Sequence, residues 1–331
     1  MSINLKGRSF LTLRDFSSLE IEYLLQLSHD LKEKKRTGHS NELLKNKSIV
    51  LIFDKPSTRT RCAFEVATYD EGGHVTFLEN SHMGKKESLE DTAKVLGRMY
   101  DGIQYRGYSH SDAETLALHA GVPVWNGLTD QYHPTQILAD MLTIREHIAK
   151  PLNKVKLVYV GDARNNMGNS LLIGAAKMGM HFVGLAPKAL WPEKSFIDGL
   201  DAIARETNAT LEYSEDIATA VKDADVIYTD VWFSMGEEDQ MASRIEQLKA
   251  YQVTMDMIRK TQNSDVVFMH CLPAYHDTNT KVGKEIFEKL GLSELEVTDE
   301  VFRSRHSIVF DQAENRLHTI KAVIVATIGH V

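Results

Sequence analysis

Nine short runs rich in β-branched and aromatic residues punctuate the chain: SIVLIF, HVTFL, GIQYRG, PVWNG, VKLVYVG, HFVGLA, ATLEYS, DVIYTDVW and DVVFMHCL. Amphipathic stretches lie between them, among them SLEIEYLLQLSHDLKEKKRTG, SLEDTAKVLGRMY and MGNSLLIGAAKMGM. Strand following helix from end to end predicts an α/β fold in which parallel sheets are flanked by helices. At 331 residues the chain has the length of two domains. The polar stretch REHIAKPLNKVK, which contains Pro151, separates a helix from a fresh strand and marks the division, giving domains over 1–149 and 150–313. Past it the pattern restarts with KLVYVGDARNNMGNSLLIGAAKMGM, where a dinucleotide fold would place its glycine-rich turn. GDARNNMG is not G-x-G-x-x-G, so NAD binding is not supported. The tail ENRLHTIKAVIVATIGHV reads as a final apolar helix in need of a surface to cover.

Composition narrows the function. Apolar residues make up 43% and charged residues 25%, enough for a real core in a globular protein. A net charge of −8 argues against a general nucleic-acid binder, which needs a broad basic surface. Cys62 and Cys271 are too few for a disulfide framework and fit a reducing compartment. The N-terminus MSINLKGRSFLTLRDFSS carries charges throughout, unlike a signal peptide, and no apolar run reaches membrane-spanning length. A soluble cytoplasmic protein is expected.

The junction FDKPSTRTRCAFEVA then carries the chemistry. Helix capping accounts for one hydroxyl, but not for Ser57, Thr58 and Thr60 together with Arg59 and Arg61. A helix N-terminus already favours an anion through its free N–H groups and partial positive charge. Hydroxyl donors and a forked guanidinium added there make a phosphate cradle. Arg59 and Arg61 diverge by about 200° on a helix, and Arg59, nearer the cap, is the one expected to face the anion.

Ligands of parallel α/β proteins sit at the C-terminal ends of strands. Arg106 ends one strand; His133, Thr135 and Gln136 follow another in the string HPTQ, with Pro134 suited to a first helical turn. Asn165 and Asn166 follow a third, Asp230 ends a fourth before Ser234, Met235 and Gly236, and Cys271 and Leu272 end a fifth. Arg316 is expected to begin the last helix. Each has an ordinary alternative: a surface ion pair for Arg106, a cap for His133, Asn165, Asn166 or Asp230, a small buried hydrophobe for Cys271. His270 and Cys271 are adjacent, so a strand would point them to opposite faces and a direct dyad is not expected. Nothing in the spacing of His, Cys, Asp and Glu resembles a metal site, so neither metal nor cofactor is expected.

Taken together, STRTR, HPTQ, DARNNMG, DVWFSMGEE, HCLPA and DQAENRLHTIKA resemble the aspartate/ornithine carbamoyltransferase family, over essentially the whole chain and in the family's order. SMG after a strand-end Asp, with HCLP, is the ornithine-type signal. The resemblance implies transfer of a carbamoyl group from carbamoyl phosphate to the side-chain amine of L-ornithine, with no covalent intermediate. It implies that Ser57, Thr58, Arg59, Thr60 and Arg106 hold phosphate, that His133 and Gln136 address the carbamoyl end, and that Asn166, Asp230, Ser234 and Met235 hold ornithine. Cys271, Leu272 and Arg316 match the remaining substrate contacts. It further implies a homotrimer or a multiple of trimers, with the segment 314–331 packing back on the first domain and the site in the cleft. Where this chain has His82, bacterial members commonly have Gln, in a loop that reaches the neighbouring subunit's site; a His there would titrate near neutral pH. The FSMGEE loop is expected to act as a lid. The nearest rivals are a carbamoyltransferase for an amine such as putrescine, which lacks an amino-acid end for Asp230 to bind, and a non-catalytic phosphate-metabolite binder.

Overall fold

In the computed structural model, residues 3–39, 42–79, 83–84, 86–233 and 241–330 are described. The chain divides into two compact units, Met1–Thr143 with Ala313–Val331, and Ile144–Gln312. All nine expected strands form, as β1 (Ser48–Phe53), β2 (His74–Leu78), β3 (Gly102–Arg106), β4 (Val124–Leu128), β5 (Lys156–Val160), β6 (His181–Leu185), β7 (Thr210–Ser214), β8 (Val226–Thr229) and β9 (Val267–His270). They make two parallel sheets, ordered β2-β1-β3-β4 and β7-β6-β5-β8-β9. The parallel α/β expectation holds.

In the first unit, Val50 to Phe53 of β1 are all buried, the unbroken apolar run of a strand covered on both faces. Ile49 pairs with Val75 on one side and Gly102 on the other. Helix α1 (Ser18–Arg36) starts from a capping box in which Ser17 and Glu20 satisfy each other's backbone N–H. Helix α2 (Thr58–Asp70) follows β1, α3 (Leu89–Met99) and α4 (His110–His119) flank β3, and α5 (Pro134–His147) follows β4. One core cluster joins Val50, Ile52, Ala93, Ile103, Leu116 and Val124. Each large aliphatic side chain buried in such a cluster contributes about 1.5–3 kcal/mol. A glycine is required at position 97, because a Cβ there would lie 1.7 Å from the Ala120 carbonyl oxygen.

The C-terminal helix runs over Val309–Ile328, not from Arg316. Asp311 in its first turn complements the positive helix end, which favours the earlier start. Arg316 therefore lies about two turns in, on a rigid rod rather than at a fraying end. From Ala313 onward this helix belongs to the first unit. Asn315 donates to Thr143 Oγ1 (2.9 Å), Lys321 Nζ pairs with Asp70 (2.7 Å), and Trp125 Nε1 donates to Thr327 Oγ1 (3.0 Å). Among the described residues no helix is long and apolar enough to cross a membrane.

In the second unit, α6 (Asn166–Met178) follows β5, and its apolar residues Leu171, Leu172, Ile173, Ala175 and Ala176 are buried. The core of that unit includes Val158, Val183, Ile227, Phe268 and Val301. In each sheet the strand order reverses once, between β1 and β3 in the first and between β5 and β8 in the second. Loops leaving such neighbours diverge to opposite faces and open a crevice at the strand ends. The segment after β1 and the end of β3 carry STRTR and Arg106; the segments after β5 and β8 carry Asn165, Asn166 and Asp230.

Candidate active site

In the first unit, Ser57 is the N-cap of α2 and accepts from Thr60 N (3.3 Å), which fixes the turn that presents the hydroxyls. Thr60 is fully buried, and its Oγ1 accepts from Arg106 Nη1 (3.4 Å) and from Arg316 Nη2 (3.2 Å). A hydroxyl whose lone pairs both receive guanidinium donors has its proton left to offer. Ser57 and Thr58 border a cavity of about 410 Å³ that Asp54, Arg61 and Phe77 also line. Arg61 is turned to other work: its Nε donates to Glu65 (2.9 Å) and its guanidinium lies 3.6 Å from the Phe77 ring centre. Arg59 is half-buried, and its charge acts on His133.

His133 is 5% exposed, immediately before α5. Burial holds its imidazole well below the usual histidine range, and the charges of Arg316, Arg106 and Arg59 act in the same sense. It is a neutral ring among cations. Thr135 Oγ1 lies 3.4 Å from its Nδ1 and accepts from Arg316 Nη2 (3.2 Å). If the hydroxyl gives its proton to Nδ1, the other nitrogen carries the ring proton and is a donor. Gln136, 1% exposed, donates from Nε2 to Asp140 Oδ1 (2.8 Å), while its Oε1 accepts from Arg316 Nη1 (2.8 Å).

The depressed pKa of His133 has a thermodynamic consequence. Its folded value lies below the unfolded value of about 6.5, so its contribution is fully present above that pH and is lost as pH falls toward the folded value. The cost reaches up to about 1.4 kcal/mol per pH unit. Thermal melting of the wild type and of His133→Gln between pH 7.5 and 5 is expected to give the shallower acid decline in the variant. Parallel curves would show that His133 is not held neutral.

In the second unit, Asn165 caps α6 by accepting from Gly168 N (2.7 Å), and Asn166 is the first helical residue. The turn before them is braced by Asp162, which accepts from Arg164 Nε and Nη2 (3.0 Å each) and also takes Arg244 from the helix Met241–Leu248. Asp230, 9% exposed, follows β8; its Oδ1 accepts from Val231 N (2.8 Å) and from the Cys271 thiol (3.0 Å). Burial pushes the Asp230 carboxyl above the usual carboxylate range, against the stabilising influence of His270, the Cys271 thiol and the Val231 N–H. Such a group gains from a cation. Leu272 stands at φ 56° with its N–H donating to His270 Nδ1 (2.8 Å), while His270 Nε2 meets the fully buried Glu296 (3.2 Å).

Folding thus brings atoms of Asp230, His270 and Cys271 within 4.8 Å of one another, which their linear spacing did not suggest. Both His270 nitrogens already have partners, and the thiol is spent on Asp230, so the trio reads as a hydrogen-bonded site. His82, Ser234 and Met235 lie outside the described residues. Sequence reasoning passed over Asp140, although Gln136 and Asp140 stand four apart, the spacing at which helical side chains meet. It also passed over Tyr159, whose hydroxyl lies 3.4 Å from Asn165 Oδ1 beneath the turn after β5.

Hydroxyls and guanidiniums gathered at one switch point, and a buried carboxylate with a thiol at the other, suit a group-transfer enzyme with a phosphorylated donor. Residues 8–146 match the carbamoyl-phosphate-binding domain of aspartate/ornithine carbamoyltransferases, and residues 153–327 match their Asp/Orn-binding domain. The chain belongs to the aspartate/ornithine carbamoyltransferase family. It is 61% identical to a protein of Clostridium perfringens named ornithine carbamoyltransferase, catabolic, over 99% of this chain and 100% of the relative. A Bacillus cereus protein of the same name is 57% identical, over 99% and 98%. Among solved structures, the ornithine carbamoyltransferase of Pyrococcus furiosus has a TM-score of 0.90 and 41% identity, over 100% of both chains. The anabolic ornithine carbamoyltransferase of Campylobacter jejuni has a TM-score of 0.85 and 34% identity, over 96% and 97%.

Proposed function

We propose that this chain is an ornithine carbamoyltransferase that converts carbamoyl phosphate and L-ornithine into L-citrulline and phosphate by positioning and electrostatics, without a covalent intermediate. Carbamoyl phosphate is already an activated acyl donor, so the enzyme need not supply a nucleophile. In this reading Ser57, Thr58, Arg59, Thr60 and Arg106 hold the phosphate, with Arg316 beside them. His133 donates to the carbamoyl oxygen and Gln136 accepts from its NH₂. Asn166 and Asp230, with Ser234 and Met235, hold the amino-acid end of ornithine, Asp230 pairing with the α-ammonium. Cys271 and Leu272 meet the reacting amine and the carbamoyl group.

The amine must attack in its neutral form, although a free alkylamine is mostly protonated at pH 7. A partly desolvated, cation-rich site lowers its pKa. Negative charge then grows on the carbonyl oxygen and the leaving phosphate, where fixed donors stabilise it. The observation that most supports an amino-acid acceptor is Asp230, a buried carboxylate that accepts from a thiol and one backbone N–H. An α-ammonium supplies the charge it needs. Putrescine, which is ornithine without the α-carboxylate, carries an ammonium at the same distance, so the choice between them rests on the match to the Asp/Orn-binding domain and on relatives named ornithine carbamoyltransferase. The family's assembly supports a homotrimer, to which His82 would contribute across subunits, working in the cytoplasm.

The test is an assay of the purified protein with carbamoyl phosphate and, separately, L-ornithine, putrescine and L-aspartate. Citrulline from ornithine alone is expected, and mass spectrometry of the quenched mixture is expected to find Cys271 unmodified. Product chiefly from another amine overturns the acceptor assignment, and a carbamoylated Cys271 overturns the direct transfer.

A further inference from the structure

We infer that Asp140 is a positioning residue that fixes which end of the Gln136 amide faces the donor, and so makes the site selective for a carbamoyl NH₂. The inference rests on the reading of the site given above. A glutamine amide is nearly symmetric in shape, with an acceptor at one end and a donor at the other. Left alone it could turn over and offer NH₂ to the substrate's NH₂, a repulsive contact. Asp140, 1% exposed on the inner face of α5, removes that freedom. Its carboxylate accepts from Gln136 Nε2 at 2.8 Å, and an ionised carboxylate accepts only. On the other side Arg316 Nη1, which donates only, meets Gln136 Oε1 at 2.8 Å. One orientation satisfies both neighbours and the reverse satisfies neither.

The network continues from Arg316 to Thr60 and Thr135, and from Thr135 to His133. Asp140 closes the far end of this network through its carboxyl oxygen on Gln136 Nε2. Buried side chains tied into a hydrogen-bond network are held close to one geometry, and a misplacement of about 1 Å at a reacting centre costs on the order of 100-fold in rate.

Asp140→Asn keeps the shape and gives residue 140 both a donor and an acceptor end, so the Gln136 amide loses one of its two anchors and is held by Arg316 alone. With ornithine saturating, kcat/KM for carbamoyl phosphate is expected to fall on the order of 100-fold. Inhibition by inorganic phosphate, which has no NH₂ for Gln136 to read, is expected to stay unchanged. Gln136→Glu alone sets two carboxylates against each other and is also expected to be poor. The double variant Gln136→Glu with Asp140→Asn restores a carboxylate–amide pair with an acceptor toward Arg316 and the donor, and is expected to recover activity over both single variants. That recovery reads orientation even if one single variant is poorly folded. Asp140→Asn activity equal to wild type, an equal loss of phosphate inhibition, or a double variant no better than the singles would each overturn the inference. Wild-type protein unable to make citrulline would instead overturn the reading on which it rests.

Discussion

Replacing Arg106 by alanine is expected to lower kcat/KM for carbamoyl phosphate by about 10²–10³-fold, the loss seen when one preorganised donor to a developing negative charge is removed. Arg106 is 8% exposed at the end of β3, and its guanidinium is held by Thr60 Oγ1 and the Gly127 carbonyl oxygen. Such a cation needs no reorganisation as charge moves to the leaving phosphate, and in a buried site it is poorly screened. The variant carries a second signature that a folding defect would lack. Arg106 is one of three cations that depress the His133 pKa, so its removal is expected to move the acid limb of the activity profile to higher pH. Measuring kcat/KM from pH 5 to 8 decides the matter: a loss under tenfold with an unmoved acid limb would remove Arg106 from the donor site.

Asp230→Asn is expected to raise KM for ornithine by about 10²–10³-fold while leaving the affinity for carbamoyl phosphate intact. Asparagine keeps an oxygen for the Val231 N–H and the Cys271 thiol and removes only the charge. Breaking one side of a buried ion pair costs roughly 3–5 kcal/mol, because the other charge is left uncompensated. Without ligand the sign reverses. The folded pKa of Asp230 is raised, so its ionised form weakens the empty protein above the carboxylate range, and the neutral variant is expected to melt slightly higher at pH 7. Isothermal titration with each substrate and a thermal melt cover both halves. An ornithine affinity equal to wild type would move the α-ammonium elsewhere; a lower melting temperature would show that Asp230 is a structural anion.

Much of the fold was legible because its signals are local. SIVLIF is a strand in any context that buries both its faces, and Asn165 before an apolar run is a helix cap wherever it stands. The strand orders were not legible, since no local pattern in HVTFL says that it lies beyond β1 rather than beside β3. Those orders create the switch points that gather Ser57 with Arg106 and Asn165 with Asp230. The start of the last helix was missed because Val309 and Asp311 look like loop residues until the helix dipole and the buried Val309 are counted. His270 was set aside by strand alternation, but the chain leaves the strand at Cys271, where alternation no longer applies. Its ring then braces the Leu272 turn. Asp140 was passed over for a different reason: an acidic residue in a helix reads as solvent-facing until the partners of Gln136 are known.

Each sheet reverses its strand order once, so Thr60 and Arg106, proposed for the donor, and Asn166 and Asp230, proposed for the acceptor, hang from separate pairs of strand ends. Editing the segments after β5 and β8 leaves Thr60, Arg106 and His133 untouched. In the proposed reading, changes confined to those two segments alter the acceptor contacts and leave the phosphate contacts in place. A library confined to the residues around Asn166 and Asp230 is the place to look for new amines, because most of its members will still be able to hold the activated donor.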